Sequence, residues 1–240
     1  MTQPFDIVRA GYDTIGPRYR EWSSASGVRG RWLTRLLDEL DPDSLVVDLG
    51  CGPGEPATRL LAERHRVIGV DASIVQLSLA REAAPSAMLV QADMTRFALQ
   101  PCSVDAVASF YALGHVPSRL HAPLFASVAR WLRPGGILLT STPVGTGDDT
   151  EPDWLGVEMF FGGIGGTATR DAVREAGLRL ETLETVEEDE GDGHLVRFTW
   201  IVARRPPWAV SDNSRAGWMG RRATPSTGVR PCRHDVRCQT

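Results

Sequence analysis

The run Val46-Val47-Asp48-Leu49-Gly50-Cys51-Gly52-Pro53-Gly54-Glu55 limits what this chain can fold into more than any other stretch. Apolar residues enter a loop with glycine at every second position, and a helix-like segment follows. Such a pattern is a strand leading into a turn too tight for side chains, beside a helix N-terminus. It is the corner that α/β proteins use to hold nucleotides. The position of the third glycine narrows the ligand. A dinucleotide fingerprint, G-x-G-x-x-G, needs glycine at position 55. Glu55 stands there instead, and the third glycine comes one residue early. An acid at the mouth of the loop opposes a pyrophosphate and suits a cationic ligand.

The rest of the chain alternates. Strand-like apolar runs fall at 45–49, 66–70, 87–91, 104–110 and 137–141. Helical patterns fall at 31–40, 56–64, 73–84 and 118–132, the first with Trp32, Leu33, Leu36, Leu37 and Leu40 on one face. Strands apolar on both faces, separated by helices, predict a parallel sheet covered on both sides. Thr167 or Thr169 is expected to cap a further helix, which Gly177 ends. Two final strands, near 178–186 and 194–203, pair as a hairpin around the acidic turn Glu187 to Gly193.

In a doubly wound sheet, ligands bind beyond the carboxyl ends of the strands. There the sequence places Gly50, Gly52 and Gly54 after the first strand and Asp71 after the second. Asp93-Met94 follow the third strand, and Phe110-Tyr111 and His115 follow the fourth. A carboxylate at Asp71 can accept hydrogen bonds from both ribose hydroxyls, or cap the next helix, or do both. Asp93 can accept from an exocyclic amine while Met94 packs on the base. Asp93 as a plain turn residue is the alternative.

With these motifs in order, the chain resembles a class I S-adenosylmethionine-dependent methyltransferase of the small-molecule type. The matching segments are Val46 to Gly54, Gly69-Val70-Asp71, Gln91-Ala92-Asp93-Met94, Asp105 through Tyr111, and Trp131-Leu132-Arg133-Pro134-Gly135-Gly136. The likeness spans about residues 8–204. It implies a Rossmann-like α/β fold, a doubly wound and mostly parallel seven-stranded sheet of order 3-2-1-4-5-7-6 with an antiparallel C-terminal hairpin. It also implies S-adenosyl-L-methionine as cofactor, held by Tyr19, Gly50, Cys51, Gly52, Gly54, Asp71, Ala72, Asp93, Met94 and Phe110. The segment Tyr12 to Tyr19 is similar to the family's N-terminal helix, whose aromatic and polar residues close over the cofactor.

The implied reaction is in-line displacement at a sulfonium methyl, in which the protein supplies position and electrostatics. His115 is either a base for the acceptor's proton or a structural histidine bonded to backbone. Tyr111 orients the nucleophile or lines the wall. Tyr12, Trp154, Glu158, Phe160 and Phe161 are the candidates for acceptor binding. The aromatic stretch 153–161 reads as a lid or as an ordinary edge segment, with the glycine cluster 162–166 as a hinge.

Charge bounds the partners. Residues 208–240 hold six Arg against Asp212 and Asp235, a net +4, so the other 207 residues carry −8 of the total −4. An acidic body argues against a nucleic-acid binder. The partner expected is a small-molecule methyl acceptor. The chain has no apolar run long enough to cross a membrane and no secretory pattern at its start, so a cytoplasmic enzyme is the simplest fit. The expected domain is 1–207, with 1–40 a helical cap, followed by a basic, disordered tail at 208–240. Cys232, His234 and Cys238 in that tail are too few for a metal knuckle, and no metal is expected. Alternative functions are methylation of RNA or protein, or cofactor binding without catalysis. A nicotinamide dehydrogenase fits poorly because of Glu55.

Overall fold

A computed structural model of the chain describes residues 3–23, 27–189 and 195–207. The basic tail therefore lies outside the described residues, as does the turn at 190–194. Seven strands form one sheet: β1 (Leu45–Leu49), β2 (Arg66–Asp71), β3 (Met88–Gln91), β4 (Val104–Ser109), β5 (Leu132–Pro143), β8 (Arg179–Asp189) and β9 (Leu195–Arg204). Their order is β3-β2-β1-β4-β5-β9-β8. The first five are parallel, and β9 runs antiparallel to both β5 and β8. Counting these seven strands alone gives the order 3-2-1-4-5-7-6 that the resemblance implied.

Strand periodicity explains the two cores. Neighbours on a strand point to opposite faces, so Val46 and Val47 enter different clusters, as do Ala106 and Val107. On one face, Val47, Leu49 and Val107 pack with Phe125, Val128 and Trp131 of α5 (His121–Trp131) and Val173 of α6 (Gly165–Glu175). On the other, Val46, Ala106 and Ala108 pack with Trp32, Leu33 and Leu36 of α2 (Gly27–Glu39) and Leu61 of α3 (Ala57–Ala62). Small alanines on β4 leave room there for Trp32, which stacks on Trp200 of β9 at 5.4 Å between ring centroids. β3 is an edge strand with Met88 63% exposed, so it is not apolar-buried on both faces as expected.

Two elements cover the strand tips. α1 (Pro4–Ser23) docks on the start of α4 (Ile74–Ala83), where Ser73 caps the helix and donates to Asp13 Oδ1 at 2.6 Å. The second element is a separate two-stranded sheet, β6 (Thr146–Trp154) with β7 (Val157–Ile164), inserted between β5 and α6. The aromatic stretch 153–161, read from sequence as a lid or as an ordinary edge segment, spans the turn of this hairpin and both its strands. The glycine cluster, expected as a hinge, falls at the end of β7 and the start of α6. Gly162 and Gly163 lie within β7, where an added Cβ would stand 2.3 Å from the Val116 carbonyl oxygen and 2.5 Å from that of Gly145. Those glycines permit close backbone packing. α6 also starts earlier than a cap at Thr167 or Thr169 would require, at Gly165. Thr169 instead lies inside the helix and donates to the Gly165 carbonyl at 2.7 Å. Among the described residues no helix is long and apolar enough to cross a membrane.

Candidate functional site

The tips of β1, β2 and β4 meet α1 around a cavity of about 600 Å³. Gly50, Gly52 and Gly54 all adopt positive φ, which side-chain-bearing residues resist. A Cβ on Gly50 would lie 2.2 Å from Ala112 Cβ, so the loop presents backbone to the cavity where no side chain fits. Gly54 turns the chain against Ala80 of α4, 3.0 Å from its added Cβ. Asp48, buried beneath the loop, accepts from Thr58 Oγ1 at 2.7 Å. Burial pushes its pKa up to about 6, against the Thr58 hydrogen bond and the Arg29 charge.

Asp71 closes β2. Its Oδ2 accepts from the Gly52 N–H at 2.8 Å and its Oδ1 from the Ser73 N–H at 2.9 Å. One carboxylate thus fixes the glycine loop and the turn into α4, while its remaining lone pairs can meet a ligand. Desolvation dominates these bonds and lifts its pKa to about 6. Asp93 accepts from Thr95 N–H at 2.8 Å and from Thr95 Oγ1 at 2.7 Å, and lines the cavity beside Met94.

Of the residues expected to hold the cofactor, Tyr19, Gly50, Gly52, Asp71, Ala72, Asp93, Met94 and Phe110 line this cavity. Gly54 shapes the loop from outside. Cys51 faces a small adjoining pocket, where burial raises its thiol pKa further and keeps it protonated. Arg29 shares that pocket with Tyr19, Asp48, Gly50, Gly52 and Glu55, and was not identified from sequence. It is buried, donates to the Glu55 carbonyl at 3.2 Å, and lies over the Tyr111 ring at 4.7 Å. It is one of 26 basic side chains, on a helix whose apolar stripe carries all the sequence information.

The two catalytic candidates are both engaged. Tyr111 donates its hydroxyl to Glu188 Oε2 at 2.5 Å, and Glu188 Oε1 accepts from Trp200 Nε1 at 3.2 Å. Its phenol is therefore a strut to the β8–β9 hairpin, although the residue contributes to the cavity wall. His115 Nδ1 stands 2.9 Å from the Phe160 carbonyl oxygen, which can only accept, so Nδ1 carries the proton. Its Nε2 then accepts from the Tyr12 hydroxyl at 2.7 Å. Desolvation lowers the His115 pKa to about 4, against the Phe160 hydrogen bond, so the ring is neutral at pH 7.

Of the acceptor-binding candidates, only Tyr12 lines the cavity. Trp154 and Phe161 pack behind it, their centroids 6.0 and 5.1 Å from the His115 ring. Phe160 is core beside Val8 and Met159, and Glu158 faces solvent. The aromatic stretch therefore backs the wall rather than forming it. Tyr12→Phe leaves the imidazole Nε2 without its donor, an expected loss of about 1 kcal/mol in thermal or urea unfolding.

Residues 46–136 match a protein family described as a methyltransferase domain. A 27-O-demethylrifamycin SV methyltransferase from Amycolatopsis mediterranei is 30% identical over 190 residues, covering 70% of this chain and 68% of the relative. A trans-aconitate 2-methyltransferase from Azoarcus sp. is 42% identical over 107 residues, 43% of this chain. The match spans about two fifths (41%) of that relative's length. Among solved structures, a 1,6-didemethyltoxoflavin-N1-methyltransferase from Burkholderia thailandensis shares the fold. It has a TM-score of 0.65 at 16% identity, covering 86% of this chain and 92% of the other.

Proposed function

Because the chain belongs to the class I S-adenosylmethionine-dependent methyltransferases, we propose that it transfers a methyl group from S-adenosyl-L-methionine to a small molecule. One observation carries this reading. The loop of three positive-φ glycines and the Asp71 carboxylate frame one end of a cavity of about 600 Å³ that continues to His115 and Arg119. A nucleoside and a small acceptor have room to lie in line there.

The residues fit the cofactor. The Gly50 backbone, with no space for a Cβ, admits close approach of its aminoacyl chain. Asp71 would take the ribose hydroxyls, Asp93 the adenine amine, and Met94 the base. Arg29, set between the loop and Glu55, would face the cofactor's carboxylate. Bound there, the cofactor supplies an electrophilic methyl on a sulfonium. The chain's part is to hold the acceptor in line and to exclude water, for which α1 and the β6–β7 hairpin cover the strand tips.

The acceptors of the relatives, trans-aconitate and a demethylrifamycin, are the first compounds to test. The broader experiment incubates the protein with methyl-labelled cofactor and a cell extract. Label in a low-molecular-weight product is expected. Label only in macromolecules, or cofactor binding with no transfer at all, overturns the reading.

A further inference from the structure

Resting on that function, we infer that Tyr12 and His115 form a proton relay: the acceptor's nucleophile hands its proton to the Tyr12 hydroxyl, which passes its own to the imidazole.

The first ground is where the hydroxyl stands. Val8, Tyr12 and Tyr19 share one face of α1, and all three line the cavity. Asp71 and Asp93 also line it and keep lone pairs, but they stand at the end that takes the nucleoside. In-line displacement brings the acceptor to the side of the methyl opposite sulfur, toward His115. Asp6, the third acid of the lining, is paired with Arg9 at 3.5 Å.

The second ground is the direction of the hydrogen bonds. His115 ends the 3-10 turn Leu113–His115 that follows β4. With its Nδ1–H held by the Phe160 carbonyl at 2.9 Å, its Nε2 lone pair faces the Tyr12 hydroxyl at 2.7 Å. The bond therefore runs from the cavity wall into the imidazole. A phenol oxygen that donates its hydrogen keeps lone pairs for an incoming one. Once Tyr12's hydrogen has crossed, Nε2–H donates back to the phenol oxygen, and the Phe160 bond persists. Neither ring has to move.

The third ground is charge. The acceptor atom bonds to the methyl carbon as the sulfonium carbon–sulfur bond breaks, sulfur keeping the electron pair. The acceptor's hydrogen goes to Tyr12 Oη and Tyr12's hydrogen to His115 Nε2. The products are the methylated acceptor, a neutral thioether and an imidazolium. One positive charge disappears from sulfur as another arises on the ring, so the cavity's net charge is unchanged, which spares the cost of creating a charge away from water. The lowered pKa of about 4 keeps Nε2 unprotonated at pH 7 before reaction, and returns the proton to water once the products leave.

The test follows a single turnover, with the protein in excess over methyl-labelled cofactor and the cell extract supplying the acceptor. Transfer is expected to be slower in D2O than in H2O; equal rates overturn the relay and leave the methyltransferase function standing. This measurement needs no variant. Y12F and H115Q are each expected to slow transfer about 100-fold, the contribution typical of a placed base, with cofactor affinity unchanged by calorimetry and the fold checked by thermal melt. Glutamine keeps a hydrogen-bond partner for Tyr12 but takes no proton, so a parental rate in H115Q makes the histidine structural and overturns the relay. The double variant is expected to be no slower than either single one, because both block the same path; losses that multiply mean independent roles and overturn it. An isotope effect that survives in both single variants also overturns it, and loss of that effect in D93N alone moves the base to Asp93. No label together with no cofactor binding marks failure of the function itself.

Discussion

Gly50→Ala is expected to abolish measurable binding of S-adenosylmethionine, a loss of at least 100-fold. Two independent costs meet at this position. The residue sits at φ +72°, where a side chain is disfavoured by roughly 1–2 kcal/mol. The new methyl would also stand 2.2 Å from Ala112 Cβ and 3.1 Å from Met94 Cε, with overpacking costing about 1–3 kcal/mol more. Relief requires the loop to move away from β4, and that movement takes the backbone out of the place a ligand would approach. Calorimetry reports the affinity, and a thermal melt separates it from loss of the fold. Normal affinity in a folded variant would show that the cofactor does not lie against this loop.

The second large effect concerns Asp71. Asp71→Asn is expected to weaken cofactor binding by about 10- to 100-fold, since one acceptor oxygen becomes a donor that faces either Gly52 N–H or Ser73 N–H. The pH dependence gives a sharper readout. In the ligand-free protein this carboxyl has its pKa raised to about 6 from 3.8, so the native state holds a proton that the unfolded chain has released. Its contribution to stability is complete below about pH 3.8 and is lost as pH rises through about 6. Ribose hydroxyls favour the ionised form, so cofactor affinity rises over the same window. The asparagine variant should show a flat affinity between pH 5 and 7. A slope equal to that of the parent would place the titrating group elsewhere, with Asp48, also raised to about 6, the next to examine.

The strand tips were legible because their chemistry is local. A glycine loop, an acid ending β2 and an Asp-Met pair after β3 each announce themselves within a few residues, and alternation of strands and helices fixes their common edge. The same holds for the sheet order, which follows from the family likeness that these motifs carry. Roles that depend on a distant partner were not legible. Whether His115 acts as a base depends on Phe160 and Tyr12, 45 and 103 residues away. Tyr111 became a strut only through Glu188, 77 residues along the chain. The close approach of the Val116 and Gly145 carbonyls to Gly162 and Gly163 was equally hidden, since neither partner is announced by the glycine pattern. Arg29 was hidden for the same reason: nothing on its own helix distinguishes it from the other arginines.

The cover of the cavity comes from two stretches far apart in the chain, α1 and the β6–β7 hairpin, and they are fitted to each other. A Cβ on Gly11 would lie 2.6 Å from Met159 Cε, and the ring of Tyr12 meets that of Trp154 at 5.9 Å. Grafting a foreign hairpin onto this scaffold would therefore bring a mismatched surface against the N-terminal helix. Chimeras made to change acceptor range should exchange residues 4–23 and 146–164 as a pair, and single-segment swaps are the ones that should misfold or leak water into the reaction.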